Sequence, residues 1–263
     1  MLDRIRPTRG RVMLAVVVVG LTSFLIGGRL RNRVLFATPR KAFSVESVES
    51  YTRSNRPPRE RQRLFAVRSD GSFLDASRRI DGQKMSFTKS VTLIPERRYV
   101  VVSDPIQSMS TFYLSEAQAL SKKAGPGDPT CSTKSAGSRQ YVVKGRDSIL
   151  GYEVVILEDN AGTERWESWE APGLDCFPLR TVVEFKRPDP SLTDRTESIA
   201  VKVTLGEPPS ELFAIPAHYT ERPPSQMNIE SALLETGIVP QFFVDAAQRM
   251  DRNYYASRRN MPR

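Results

Sequence analysis

The chain is poor in residues that usually carry chemistry. It has one histidine, two cysteines and two tryptophans in 263 residues. A metal centre needs about four ligands, and a single histidine with two cysteines does not supply them. His218, in Pro216-Ala-His-Tyr, is the one imidazole that could act as a general base. No partner residue can be nominated to orient it, so it reads as an ordinary loop side chain. No Gly-x-Ser-x-Gly elbow, no phosphate-cradling glycine loop and no His-Glu-x-x-His occurs. Each of these motifs places a nucleophile, backbone amides or metal ligands at a fixed spacing that the chain does not provide. Glu164, Glu167 and Glu170 look like a carboxylate cluster. On a strand, however, Glu167 faces away from the other two, which describes a solvated strand rather than an acid–base pair. No catalytic residue, metal or cofactor is therefore assigned, and a non-enzymatic protein is expected.

A net positive field over the globular part is also missing. The net charge of +9 comes from the ends: residues 1–33 carry seven arginines against Asp3, and residues 251–263 carry four against Asp251. Residues 34–250 hold 28 basic and 28 acidic groups, a balance of zero. Such a region does not steer toward phosphates, which argues against a nucleic-acid partner. The basic ends fit anionic lipid headgroups better.

Only one long apolar run is present, residues 12–28, uncharged and bracketed by Arg9, Arg11, Arg29, Arg31 and Arg33. As a helix it would span roughly 26 Å, near the lower limit for a bilayer core. It is read as an uncleaved signal anchor; a cleaved signal peptide and a buried soluble helix are the alternatives. No Ala-x-Ala follows the run, and bulky Leu35 stands at the position that wants a small residue before Ala37. Arginines on both sides leave orientation undecided by charge alone. The simplest arrangement is a single pass through a bacterial inner membrane, with the main domain periplasmic or otherwise extracytoplasmic.

Cys131 and Cys176 are the only thiols. Cys131 lies in a polar, turn-rich stretch, unlike a free structural cysteine. An even count in an exported domain points to a bridge, with two unrelated free thiols as the alternative. Closing a loop of about 45 residues would stabilise the fold by roughly 4 kcal/mol in the chain-entropy model.

The pattern divides the chain into a basic tail (1–11), a transmembrane anchor (12–28), a linker (29–62), an antiparallel β domain (63–225) and a C-terminal helical segment with a basic tail (226–263). Ser69-Asp-Gly and Pro95-Glu-Arg mark hairpins, and about nine strands are expected between Arg63 and Leu205. Short helices are expected at Ser115–Lys123, Pro209–Phe213 and Asn228–Glu235. A longer one is expected at Pro240–Tyr255, whose stripe of Phe243, Ala246, Ala247 and Met250 docks on the sheet. The fold class is mainly β (α+β): one curved antiparallel sheet of about 8–10 strands with a few short helices, plus the N-terminal transmembrane helix. Trp166 and Trp169 point to opposite faces of one strand, so one belongs to the core and the other is free to line a groove. They are the candidate ligand contacts, with core packing of both as the alternative.

The hairpin followed by Thr92-Leu-Ile-Pro-Glu-Arg-Arg-Tyr-Val-Val-Val-Ser-Asp carries a family likeness. It continues through Gly151-Tyr-Glu-Val-Val, Thr163-Glu-Arg-Trp-Glu-Ser-Trp, Ile199-Ala-Val-Lys-Val and Glu211-Leu-Phe-Ala-Ile-Pro. Together these resemble bacterial envelope domains of the lipoprotein-carrier, half-barrel type and their uncharacterised secreted relatives. The resemblance covers roughly residues 60–220 and implies a curved sheet around a few helices, with an acyl group as ligand in some members. It carries no functional residue across. It implies a non-enzymatic envelope protein that binds a lipid, a hydrophobic ligand or an acylated protein on a concave sheet. The alternative is a structural or regulatory interaction module, a sensor or assembly factor, with no small ligand.

Overall fold

A computed structural model describes residues 41–53, 56–81, 84–123, 130–131, 135–136, 139–159, 164–186, 193–227, 229–230 and 251–261. All of them belong to one compact unit, Thr38–Arg263. The apolar run 12–28, the turn at 160–162 and the stripe Phe243, Ala246, Ala247 and Met250 lie outside the described residues. Among the described residues no helix is long and apolar enough to cross a membrane.

The chain is mostly β. One open sheet of twelve strands has the order β14-β6-β5-β4-β3-β2-β1-β13-β12-β11-β10-β9. It consists of two sequential meanders joined in the middle. The first runs through β1 (Phe43–Arg53), β2 (Arg56–Val67), β3 (Phe73–Asp81), β4 (Lys84–Leu93), β5 (Arg98–Ser103) and β6 (Ser108–Tyr113). The second runs through β9 (Val142–Ile149), β10 (Tyr152–Asp159), β11 (Glu164–Ala171), β12 (Phe177–Lys186) and β13 (Thr193–Leu205). The seam between them is the antiparallel pair β1 and β13, with Phe43 opposite Leu205 and Arg53 opposite Asp194. The short strands β7 (Ser135–Ala136) and β8 (Arg139–Gln140) pair with each other. Strand β14 (Thr220–Glu221) runs parallel to β6, so the sheet is mixed rather than purely antiparallel.

Both expected hairpins form. At Ser69-Asp-Gly, Arg68 donates its amide to the Ser72 carbonyl and Gly71 donates to Arg68, at 2.8 and 2.9 Å. At Pro95-Glu-Arg, Arg97 donates to Ile94 at 3.1 Å. The turn Leu150-Gly151 is an addition to the expected pattern. Both residues have positive φ (51° and 80°), the condition for a two-residue hairpin of right-handed twist. It divides a continuous β-forming run into β9 and β10.

The linker expectation for 29–62 fails from Phe43 onward, where β1 and the first half of β2 lie paired in the centre of the sheet. The sheet has twelve strands rather than 8–10: β1 from this segment, and β6 and β14 from elsewhere in the chain, are the additions. The polar residues that made the stretch look like a connector are used in cross-strand pairs. Arg61 bonds Glu49 at 2.5 Å, and Lys202 bonds Glu46 at 2.9 Å.

Helices are few. The helix α1 (Glu116–Lys123) begins with a reciprocal cap: Ser115 Oγ accepts the Gln118 amide, and Gln118 Oε1 accepts the Ser115 amide. Ser210–Phe213 is a single 3₁₀ turn, as read from the sequence. Residues 251–257 are helical and dock at the β6 edge through Glu221. That carboxylate accepts from Thr111 N and Oγ1, Tyr254 OH and Arg258 at 2.8–3.0 Å. Buried Tyr254 also packs edge-on against Phe112.

Candidate functional site

In β2, β3 and β4 successive side chains leave on opposite faces of the sheet, and both faces carry apolar residues. On one face Phe65, Val67 and Phe73 join Phe43, Val45 and Phe177 in the main core. Phe65 stacks on Phe177 with ring centres 4.5 Å apart, and Phe43 meets Phe177 edge-on at 5.6 Å. The same face then becomes charged, and its charges are matched. Arg63 grips both oxygens of Asp75 at 2.8 and 2.5 Å and lies 3.5 Å from Glu49, which also takes Arg61. The bond to Asp75 raises the proton affinity of Arg63 above its ordinary value, against the opposing effect of burial.

On the other face, cross-strand neighbours form rows. Ala66, Leu74 and Val91 are direct partners, all at most 1% exposed. Phe213 of the 3₁₀ turn closes over this row. The next row is Glu46, Leu64, Ala76 and Lys89. It lines a cavity of about 480 Å³ whose apolar wall is completed by Leu212 and Val201. Val201 is there because of a bulge. Glu46 pairs with Lys202 and Ser47 with Ala200, so Val201 has no opposite residue. A bulge of this kind re-aims one side chain, and Val201 is left 51% exposed at the cavity.

Lys89 is the polar feature of that wall. Its amine donates to the carbonyl oxygens of Leu212 (3.1 Å) and Ala214 (2.6 Å), tying the 3₁₀ turn to the sheet. Burial pushes its proton affinity below the ordinary lysine range, with a weaker opposing pull from Asp104. The sequence signal for this residue was present but unused. Lys89 shares a face with Val91 and Leu93, so a cation interrupts an apolar alternation.

Trp169 is 8% exposed in the main core, with the Arg180 guanidinium 4.5 Å above its ring. Trp166 is half-buried and meets Tyr141 edge-on at 6.3 Å. Neither lines the 480 Å³ cavity. His218 is exposed in its loop, against Tyr219. Cys131 and Cys176 form a disulfide with Cα atoms 5.6 Å apart. The Glu170 carboxylate lies within 4.8 Å of both sulfurs. Bonded to each other, the sulfurs offer no thiolate to a metal. Glu170 is buried and in reach of the Ser168 hydroxyl, while Glu167 pairs with Arg165, so the three glutamates do not converge.

No protein-family model and no curated protein matches the chain. Among solved structures it is similar to a LolA superfamily protein from Nitrosomonas europaea, at TM-score 0.33 and 11% identity over 68% of this chain and 92% of that one. It is also similar to a domain described as an outer membrane lipoprotein-sorting protein from Vibrio parahaemolyticus, at TM-score 0.30 and 7% identity over 70% and 94%. A third is PNGF-II, at TM-score 0.38 and 12% identity, where 69% of this chain covers 31% of that one.

Proposed function

We propose that this is a non-enzymatic envelope protein that binds a hydrophobic ligand or an acylated partner in the cavity between β1–β4 and the 3₁₀ turn. One observation carries the reading: the two faces of the same strands are finished differently. The face of Phe43 and Phe65 is filled at one end by its own aromatic rings, and the openings beyond them are lined mainly by charged and hydroxyl side chains. The face of Leu64 and Ala76 keeps an apolar wall around about 480 Å³, within the usual range for small-ligand sites. Burying an acyl chain there would contribute about 0.8 kcal/mol per methylene, so affinity comes from area.

The reading includes the address. Residues 12–28 anchor the chain in a bacterial inner membrane by a single pass, and the sheet lies on the periplasmic side. The disulfide supports this side, because such bonds persist in oxidising compartments.

The test uses the full-length chain, delipidated in nanodiscs and titrated with the fluorescent probe N-phenyl-1-naphthylamine, with empty nanodiscs subtracted. Saturable binding that Ala76→Arg abolishes, with the circular dichroism spectrum unchanged, is the expected result. Absence of saturable binding, or binding indifferent to Ala76→Arg, refutes the site. Carbonate extraction of bacterial membranes tests the anchor: the chain should remain in the pellet.

A further inference from the structure

We infer that the cavity selects an amphiphile with an anionic head, a fatty-acid carboxylate, and that Lys89 is the residue that selects it. The inference rests on the cavity being the binding site and adds the class of ligand. Three observations on the wall carry it.

The first is an unneutralised cation. Among the described residues no carboxylate lies within ion-pair distance of Lys89, whose recorded bonds go to two neutral carbonyls. An ammonium has three hydrogens, so two carbonyls leave one donor unassigned. Holding a cation partly out of water, with only the weaker pull of Asp104 to offset it, is costly, and an arriving anion would lower that cost.

The second is how neighbouring charges on the lining are held. Glu46 is engaged by Lys202 at 2.9 Å, and Glu211 takes the Ser210 hydroxyl at 3.2 Å. Arg63 is held by Asp75. Lys89 thus differs from Glu46 and Arg63, each of which is matched by an opposite charge.

The third is placement. Lys89 is the last member of the row Glu46, Leu64, Ala76 and Lys89 to line the cavity, and Leu212, whose carbonyl it holds, covers the same cavity. A cation without an ion-pair partner beside an apolar wall complements a single-chain molecule with one anionic end. A carboxylate oxygen would take the third hydrogen of Lys89, and the chain would lie on Leu64, Ala76 and Leu212.

The experiment compares tritiated palmitate with hexadecanol and hexadecyl phosphate, which share its chain length, on the full-length protein in nanodiscs by scintillation proximity at neutral pH. Palmitate should bind the wild type about tenfold more tightly than hexadecanol. Lys89→Gln, which keeps a donor, should erase that difference. Lys89→Arg should retain the preference. Equal binding of palmitate and hexadecanol to the wild type, or a preference that survives Lys89→Gln, overturns the carboxylate site and leaves the apolar site standing. Tighter binding of hexadecyl phosphate than of palmitate overturns the choice of head group. Failure of all three to bind overturns both this inference and the proposed function.

Discussion

The two faces of β2–β4 are made from alternate residues of the same three strands, yet they end in opposite conditions. On the Phe65 face aromatic rings fill one end, and at the other Arg61, Arg63, Glu49 and Asp75 neutralise one another around openings that are polar. The Leu64 face is unfinished, with Phe213 sealing one row and the next left around a cavity. A sheet with period-two alternation can separate stability from binding in this way, because a change on one face leaves the other's side chains in place.

The largest expected effect tests that separation directly. Phe43→Ala should lower stability by about 4 kcal/mol, because Phe43 is 2% exposed and its removal leaves a cavity in packed rings. Leu64→Ala should cost about 1 kcal/mol, because one side of that residue already meets open space. Urea unfolding measures both, and similar losses would show that the two faces are packed alike. Next comes the bridge. Replacing Cys131 and Cys176 by serine should cost about 3 kcal/mol and lower the melting temperature, while probe binding at the Leu64 face persists. A smaller difference separates matched from exposed charge. Asp75→Asn should cost about 1 kcal/mol, since it breaks a two-oxygen grip on Arg63. Lys202→Met, whose pair with Glu46 stands largely in water, should change stability by about 0.3 kcal/mol or less.

The smallest effect is a pH dependence at the β6 edge. Burial, with the bond to Glu221, raises the Tyr254 hydroxyl above its ordinary pKa of 10.0, despite the opposing pull of Arg258. The native state then holds its proton more tightly than the unfolded chain. The resulting stability is complete below the ordinary tyrosine range and is lost as pH rises through the native value. Tyr99 and Tyr219 are raised in the same direction, so Tyr254→Phe should reduce the alkaline loss without removing it. An identical alkaline titration of stability for Tyr254→Phe and wild type would refute the assignment.

Much of the sheet was legible in the sequence because its signals are local. Asp-Gly and Pro-Glu-Arg turns announce hairpins, and Val-rich alternation announces β4, β5 and β10. Strand β1 was not legible, because Glu46 and Glu49 alternate with Val45 and Val48 and their partners, Lys202 and Arg61, lie elsewhere in the chain. A strand whose polar residues are neutralised by distant partners looks like a linker. Ser-rich β6 was hidden for a related reason: Ser108 and Ser110 are buried with their hydroxyls on the Ile106 and Arg222 carbonyls. The disulfide was readable from cysteine count and context. The cavity was not, because it depends on where the 3₁₀ turn crosses the sheet, and that crossing is set by Phe213 and the grip of Lys89 on two carbonyls.

The seam between β1 and β13 imposes an order of events on folding. Strand β1, made first of these strands, cannot receive one of its two neighbours until nearly the whole sheet has followed, since Phe43 waits for Leu205. Such sequence-distant pairing slows folding. In the interval β1 presents an open ladder edge to any passing strand, a hazard for aggregation that holding its N-terminal end at a bilayer would limit by keeping newly made copies apart.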